Sequence, residues 1–561
     1  MLKVILPALF GDTDNTVQSR VAQALAANDE IHVTTLPGPL PPEDVLPEGE
    51  ISVPLTEEFG AGCLRKDDAH IMVWGEVLSD EHVVRLRFYV HPDLSDADSP
   101  VILDDWLDLP VELPARVGKA LSAATAAAAV HGINQGEYSP ISLAATLFPD
   151  MEALTEDPPE ALPRSGLHTL LYFVVRMRKL FFLISDDNSD LAATMGACYH
   201  LMEATQEENP EAFARGCMQY GDILLEFEDP DEDPQYLDTA VEIYNLARNV
   251  YGRDEQPEKW ADATYRMGYV LGRIGWNRGE PGASEAAIEN FEDALSILTK
   301  DKAKRNWVDI IEATSRVYMD LGRMTQDIDR MWQSTSTLDS ALAQVKRDED
   351  PEEWTTLTLQ LGATLSNIGE ETKTLEPNQR AIRVLKAALT SIDREADPES
   401  WSDAKNCLGT ALQFVGDECN DPQTIRNAIA AYTDALTVRT RDTFPTYWAD
   451  TMNNMGNGYR NLAEHSGDPG AFEQAVSALE KALTVRTREA QPFNWACSMN
   501  NLALAHAAAG KQSGDAGRLR RAVSIFQEVL SQTAEDYPNL AHAIRSNMKR
   551  AEDSLSKFGR H

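Results

Sequence analysis

"WADTMNNMGNGYRNLAEHSGDPGAFEQAVSALEKALTVRTREAQPFNW", Trp448 to Trp495, begins and ends on tryptophan. The same 47-residue interval separates Trp260, Trp307, Trp354, Trp401, Trp448 and Trp495 at every step, with no insertion or deletion. Self-similarity at a fixed period of this size marks a repeat array, in which each unit buries its apolar face against its neighbours.

With Trp as position 0, position 8 is always small: Gly268, Ser315, Gly362, Gly409, Gly456, Ala503. A helix needs a small residue where a second helix crosses it closely. Position 11 carries Leu271, Tyr318, Leu365, Leu412, Tyr459 and His506, which with position 7 forms an apolar stripe at helical spacing. This predicts a first helix, A. Polar segments such as "GDECNDPQ" and "HSGDPG" predict a long loop that stops it and caps a second helix, B. Helix B is expected to pack tightly on A, because small residues at position 27 (Ala381, Ala428, Ala475) and position 34 (Ala388, Ala435, Ala482) flank a large apolar one such as Leu385 or Tyr432. Prolines three residues before the Trp (Pro257, Pro351, Pro398, Pro445, Pro492) suit the first turn of helix A. The register continues upstream through Pro210, Phe213, Gly221, Tyr244 and Ala247, and more faintly through Pro163, Val174 and Ala193. A capping helix is expected downstream of Pro538.

These offsets resemble the tetratricopeptide repeat over about residues 160 to 555, in a long form: the usual unit is about 34 residues. The resemblance implies an all-α superhelical solenoid of about seven to eight helical pairs, and a role in holding proteins or peptides. Positions 5, 9 and 12 of helix A lie away from the apolar stripe and are read as facing the inner, concave surface. They carry Asn406, Thr410 and Gln413, then Asn453, Asn457 and Arg460, then Asn500. An asparagine amide offers a donor and an acceptor, so a row of them can pair with the backbone of an extended peptide whatever its sequence. "TMNNMG" and "SMNNLA" also resemble the helix A motif of kinesin light chain repeats, and the row resembles the asparagine ladder of O-GlcNAc transferase. Both likenesses imply peptide contact for Asn453, Asn457 and Asn500. A second reading stays open, in which Asn454, Asn501 and their neighbours make hydrogen bonds between helices that fix the stacking. In "TVRTR", the pairs Arg439 with Arg441 and Arg486 with Arg488 could either clamp an acidic ligand or complement a helix C-terminus and nearby carboxylates.

The first 135 residues follow another pattern. "KVILPAL", "EIHVTTLP", "AHIMVWGEVL" and "HVVRLRFYV" predict short strands, parallel and antiparallel, and the last two form a hairpin turning at Ser79-Asp80-Glu81. Helices are expected at Thr16 to Ala27, at Thr56 to Lys66 and in "ELPARVGKALSAATAAAAVHGI". The result is a small α/β sandwich over 1–135, a linker over 136–160 and the array over 161–555, an α+β multidomain chain. The order strand, helix, strand, helix, hairpin resembles the N-terminal domain of TolB-like proteins, which implies protein contacts. Gly11, Asp12 and Asp14 stand at a strand end, where ligands bind in α/β folds but where a helix cap also belongs.

At 561 residues with 50 Lys plus Arg against 90 Asp plus Glu, the chain carries a net charge of −40. Nucleic acid and anionic membranes would repel it, whereas a basic protein or peptide partner fits, beside the plain role of a solubilising surface. The six cysteines form no C-x-x-C pair, and His70, His82 and His91 have no metal-ligand spacing, so neither a metal nor a cofactor is expected. "FGAGC" (Phe59 to Cys63) lacks a third glycine, and no phosphate-loop or nucleophile-elbow motif occurs. No secretion signal or membrane span is read, which places the expected protein in the cytoplasm. The sequence therefore reads as a non-enzymatic interaction scaffold. The alternatives are a sensor whose α/β domain binds a small molecule and relays it through the repeats, and an enzyme with a repeat appendage.

Overall fold

The computed structural model describes residues 2–9, 11–36, 69–78, 81–90, 101–102, 106–129, 140–185, 188–226, 235–533 and 537–558. The expected Thr56 to Lys66 helix, the "FGAGC" stretch, His91 and the hairpin tip at Ser79-Asp80 lie outside them. The chain forms two compact units, Met1–Val270 and Leu271–His561.

In the first unit, strands β1 (Leu2–Leu6), β2 (Ile31–Thr35), β3 (Ile71–Leu78), β4 (Val83–Val90), β5 (Val101–Ile102) and β6 (Leu107–Pro110) build one mixed sheet. Its order is β2-β1-β3-β4, with β5 and β6 pairing successive halves of β4. β1 runs parallel to both its neighbours, and β3 and β4 form the expected antiparallel hairpin, closed at Leu78↔Val83. Alternation along β1 sends Leu2, Val4 and Leu6 into the main core, while Ile5 joins Met72 and Trp74 on the other face. Helix α1 (Thr16–Ala26) contributes Val17, Val21 and Leu25 to that core, and α2 (Ala115–Ala129) packs a run of alanines beside them. The loop before α1 is a cap: Asp12 Oδ2 accepts from the Gln18 amide at 2.7 Å and Asp14 Oδ1 from the Thr16 amide at 3.1 Å.

Two expectations are corrected here. Residues 136–160 are not a plain linker, because Pro140–Glu156 is a helix, α3, that buries Leu143, Leu147, Met151 and Leu154 in the sheet's core. The spacing of those four is helical, and Pro149 inside the helix hides it from a reading that treats proline as a break. The next helix, α4 (Arg164–Ser185), also belongs to this core through Leu170, Phe173, Val174 and Met177. Asp108 of β6 pairs with Arg85 at 2.8 Å and accepts from Ser165 Oγ at 2.7 Å. A Cβ on Gly166 would come within 1.8 Å of the Asp108 carbonyl oxygen, so only glycine allows α4 this close to the strand.

The helical pairs from Pro257 to Thr533 have the expected helices A and B, but the long loop between them does not exist in these pairs. In the Trp448 repeat, helix A is Pro445–Ser466 and helix B is Pro469–Ala482, joined only by Gly467 and Asp468. Gly467 takes the left-handed conformation (φ 73°) that ends helix A, and Asp468 accepts from the Gly470 amide at 2.9 Å to begin helix B. Of the residues read as loop, His465 and Ser466 end a 22-residue helix A and Pro469 and Gly470 begin helix B. The added length of the unit lies there and in the B-to-A connection, residues 483–491. Position 8 meets the large residue of helix B as expected: a Cβ on Gly409 would lie 2.5 Å from the Tyr432 ring, and Gly221 stands the same way against Tyr244 in the upstream unit led by Phe213.

Candidate functional site

The recurring tryptophan has a partner that recurs with it. Seven residues before it stands an arginine whose guanidinium lies over the indole: Arg253 on Trp260 at 5.0 Å, Arg347 on Trp354 at 5.2 Å, Arg394 on Trp401 at 4.6 Å and Arg441 on Trp448 at 6.0 Å. Each arginine closes one repeat and each tryptophan opens the next, so the contact ties consecutive units together. Arg347 and Arg394 also donate to the hydroxyls of Thr390 and Thr437, both at 2.8 Å, one unit further on. The spacing Arg-x6-Trp was present in the sequence and is what the dipole reading of Arg441 missed.

Arg439 and Arg486 also join repeats. Only 6 % and 7 % exposed, they are not available as a clamp for a ligand. Arg439 pairs with Asp403 of its own helix A and donates to Thr451 Oγ1 of the next at 3.1 Å. Arg486 repeats this with Asp450 at 2.5 Å and Ser498 Oγ at 2.8 Å.

The asparagines divide into two sets. Asn453, only 8 % exposed, accepts through Oδ1 from Asn501 Nδ2 and Ser498 Oγ, both at 3.1 Å. Asn500 Oδ1 accepts from Asn547 Nδ2 of the last helix, Pro538–Phe558, at 3.1 Å. These two sit where the groove reading put them in sequence, but their amides are engaged between repeats. Asn406 and Asn457 are half-buried and make no side-chain hydrogen bond, each with an oxygen shielded from water and unpartnered. Gln413 accepts from the Tyr432 hydroxyl at 3.1 Å, and that hydroxyl also lies 3.3 Å from Thr410 Oγ1. Arg460 pairs with Glu464 at 3.3 Å, one turn along its own helix.

Two further residues on this face were not singled out from the sequence. Asn461, four residues beyond Asn457, is 4 % exposed and has no side-chain hydrogen bond. The stride Asn453-Asn457-Asn461 could have pointed to it. Glu370, near the end of the helix Pro351–Thr372, is exposed and forms no ion pair, and partial desolvation by crowding neighbours raises its carboxyl above the usual range. The Trp307 repeat carries more such groups on its helix A. Burial pushes Glu312 up to about 7 and Asp320 up to about 6, with Arg316 offsetting only part of either.

Among the described residues no group of His, Cys, Asp and Glu could hold a metal, and no helix is long and apolar enough to cross a membrane. No protein-family model and no curated protein matches the sequence. Solved structures with similar chains include a signal-transduction ATPase with a tetratricopeptide repeat sensor from Pyrococcus horikoshii (13 % identity, 99 % of this chain and 80 % of that one, TM-score 0.33). A human IFIT1 dimer with m7Gppp-AAAA is similar over 79 % of this chain and 90 % of that one (12 %, TM-score 0.30). A Rap protein complexed with competence and sporulation factor is similar over 66 % and 100 % (12 %, TM-score 0.28).

Proposed function

We propose that this protein is a non-enzymatic scaffold that holds an extended peptide along the helix A face of its second unit. One observation carries this reading: Asn406, Asn457 and Asn461 stand on one face of two consecutive repeats, each an amide without a hydrogen-bonding partner in the protein. A shielded amide without a partner costs about 1–3 kcal/mol, and an extended peptide backbone offers the alternating N–H and C=O groups that would relieve it. The groove so defined contains Asn406, Gln413, Asn457, Arg460 and Asn461, flanked by Asn453 and Asn500, which hold the repeats in register. The test uses the full chain on an array of immobilised degenerate peptides, beside an Asn406→Ala, Asn457→Ala variant of equal melting temperature. Peptides retained by the wild type and released by the variant support the groove; equal retention refutes it.

A second reading has its own observation. In the first unit a recess of about 660 Å³ opens between α1, α2 and α3, with Arg20, Gln23, Glu112, Lys119, Ser122 and Asp150 around it. That volume suits a small molecule. Amino acids, nucleotides and sugar phosphates can be screened for a rise in melting temperature of the full chain that Ser122→Leu removes. A screen without such a shift rejects the sensor role.

A further inference from the structure

In the Trp448 repeat a recess of about 320 Å³ lies between helix A (Pro445–Ser466) and helix B (Pro469–Ala482). Its floor is apolar: Met452, Met455 and Tyr459, at positions 4, 7 and 11 of helix A, meet Ala478 of helix B. Gln474, Ser477 and Lys481 stand exposed at its rim, on one face of helix B at spacings of three and four residues. None of these three side chains has a hydrogen-bonding or ionic partner among the described residues. Glu473, the carboxylate beside them, is engaged by Arg518 of the next repeat. At about 100° per residue, positions 4, 7 and 11 lie about 130° round helix A from positions 5, 9 and 12, so the recess is separate from the row of amides.

The neighbouring repeats show what is unusual here. Position 33 carries Asp293, Ser340, Ala387, Asp434, Lys481 and Glu528 in the six repeats, so Lys481 is its only cation. In the Trp401 repeat the same two places are joined across the helices, Lys405 at position 4 pairing with Asp434 at position 33 at 2.8 Å. In the Trp448 repeat Met452 replaces that lysine and Lys481 that aspartate. The exchange leaves an ammonium above an apolar floor with no carboxylate to meet it.

We propose that this recess binds a small organic acid with an aromatic or branched aliphatic body, its carboxylate on Lys481 and its apolar part on Met452, Met455 and Tyr459. A carboxylate is an acceptor with two oxygens, and the rim offers it the ammonium of Lys481, the hydroxyl of Ser477 and the amide N–H groups of Gln474. The thioethers of the floor are polarisable and adaptable, and make favourable contacts with an aromatic ring. The volume lies at the small end of ligand sites, with room for one ring and a short chain. The chain's net charge of −40 repels anions in general, so a preference for an acid over its neutral amide has to come from a local cation.

The experiment titrates the full chain with hydrocinnamate, isocaproate and indoleacetate, and with the primary amide of each, by calorimetry at physiological ionic strength. At least one acid is expected to bind with a Kd below about 1 mM, and about tenfold more tightly than its amide. Lys481→Met should bring acid and amide to parity. Ser477→Trp, which lays an indole over the recess from its rim, should abolish the binding of both. Both substitutions fall at exposed positions, and melting checks that each variant stays folded. Binding that survives Ser477→Trp places the acid elsewhere on the molecule and overturns the proposal. Equal affinity of acid and amide for the wild type, or a panel in which no acid binds, overturns it as well. Peptide retention by Asn406 and Asn457 is read in a separate measurement, so the groove and the recess stand or fall independently.

Discussion

The Trp307 and Trp448 repeats share one frame and differ in what they show on it. Both bury a small residue at position 8 and a large one at position 31 of the repeat, Ser315 and Leu338 in the first and Gly456 against Leu479 in the second. Along helix A, positions 2, 5, 9 and 13 then read Asp309, Glu312, Arg316 and Asp320 in the first, and Asp450, Asn453, Asn457 and Asn461 in the second. The frame is set by packing and tolerates little change. The stripe touches neighbours only in part, so it is where one repeat can carry charge and another amides. The Trp448 repeat is joined to its neighbours through Arg439 on one side and Arg486 on the other, where the Trp307 repeat has the buried apolar residues Leu298 and Val345.

The largest test of that contrast is Arg439→Ala. It leaves Thr451 without its donor and empties the space of a buried side chain, while Asp403, half-exposed, falls back on water, so the loss should be about 2 kcal/mol. Denaturant unfolding of the variant measures it. An unchanged midpoint would show that the arginine bridges do not hold the repeats together. Gly409→Ala comes next. Its Cβ would lie 2.5 Å from the Tyr432 ring, and such overpacking costs about 2 kcal/mol, whereas the Trp495 repeat already has Ala503 at this position facing Phe526. A neutral result would mean that helix B has room to shift.

The Trp307 repeat makes a prediction of opposite sign. Burial holds the Glu312 carboxyl up at about 7, above its ordinary value near 4.5. Its charged form burdens the fold. The burden is absent below about pH 4.5, grows between 4.5 and 7, and is complete above 7. Glu312→Gln should therefore stabilise the protein by about 1 kcal/mol at pH 8 and leave it unchanged at pH 4. Melting curves at the two values check this; equal shifts at both would assign the effect to packing rather than charge.

The frame was legible in the sequence, because a fixed period superimposes six copies and lets position 8, position 31 and the prolines speak together. The strands of the first unit were legible for a similar reason: alternation is local. What could not be read is what depends on contacts distant in sequence. Asp108 meets Ser165 across 57 residues, so the joining of α4 to the sheet had no local signal, whereas the helix at 140–156 had one, the spacing of its buried residues, masked by Pro149. The Arg-x6-Trp contact was local, but it spans a repeat boundary and reads as two unrelated motifs when each unit is taken alone.

The finest distinction lies between Asn453 and Asn457. Four residues of helix advance about 400°, so the two differ by only about 40° around the axis, less than a face assignment can resolve. The turn is enough to aim Asn453 at Asn501 and Ser498 and leave Asn457 with nothing to bond. Asn453→Ala should cost about 1 kcal/mol, because it strips an acceptor from two groups at once. Asn457→Ala should leave the protein at least as stable as the wild type, and by up to about 1 kcal/mol more so, since it removes a shielded oxygen without a partner and no bond is lost, while weakening peptide binding. Melting both variants and then measuring their peptide retention separates the two roles. Were Asn457→Ala as destabilising as Asn453→Ala, its amide would be part of the stacking after all, and the groove would lose the residue on which it most depends.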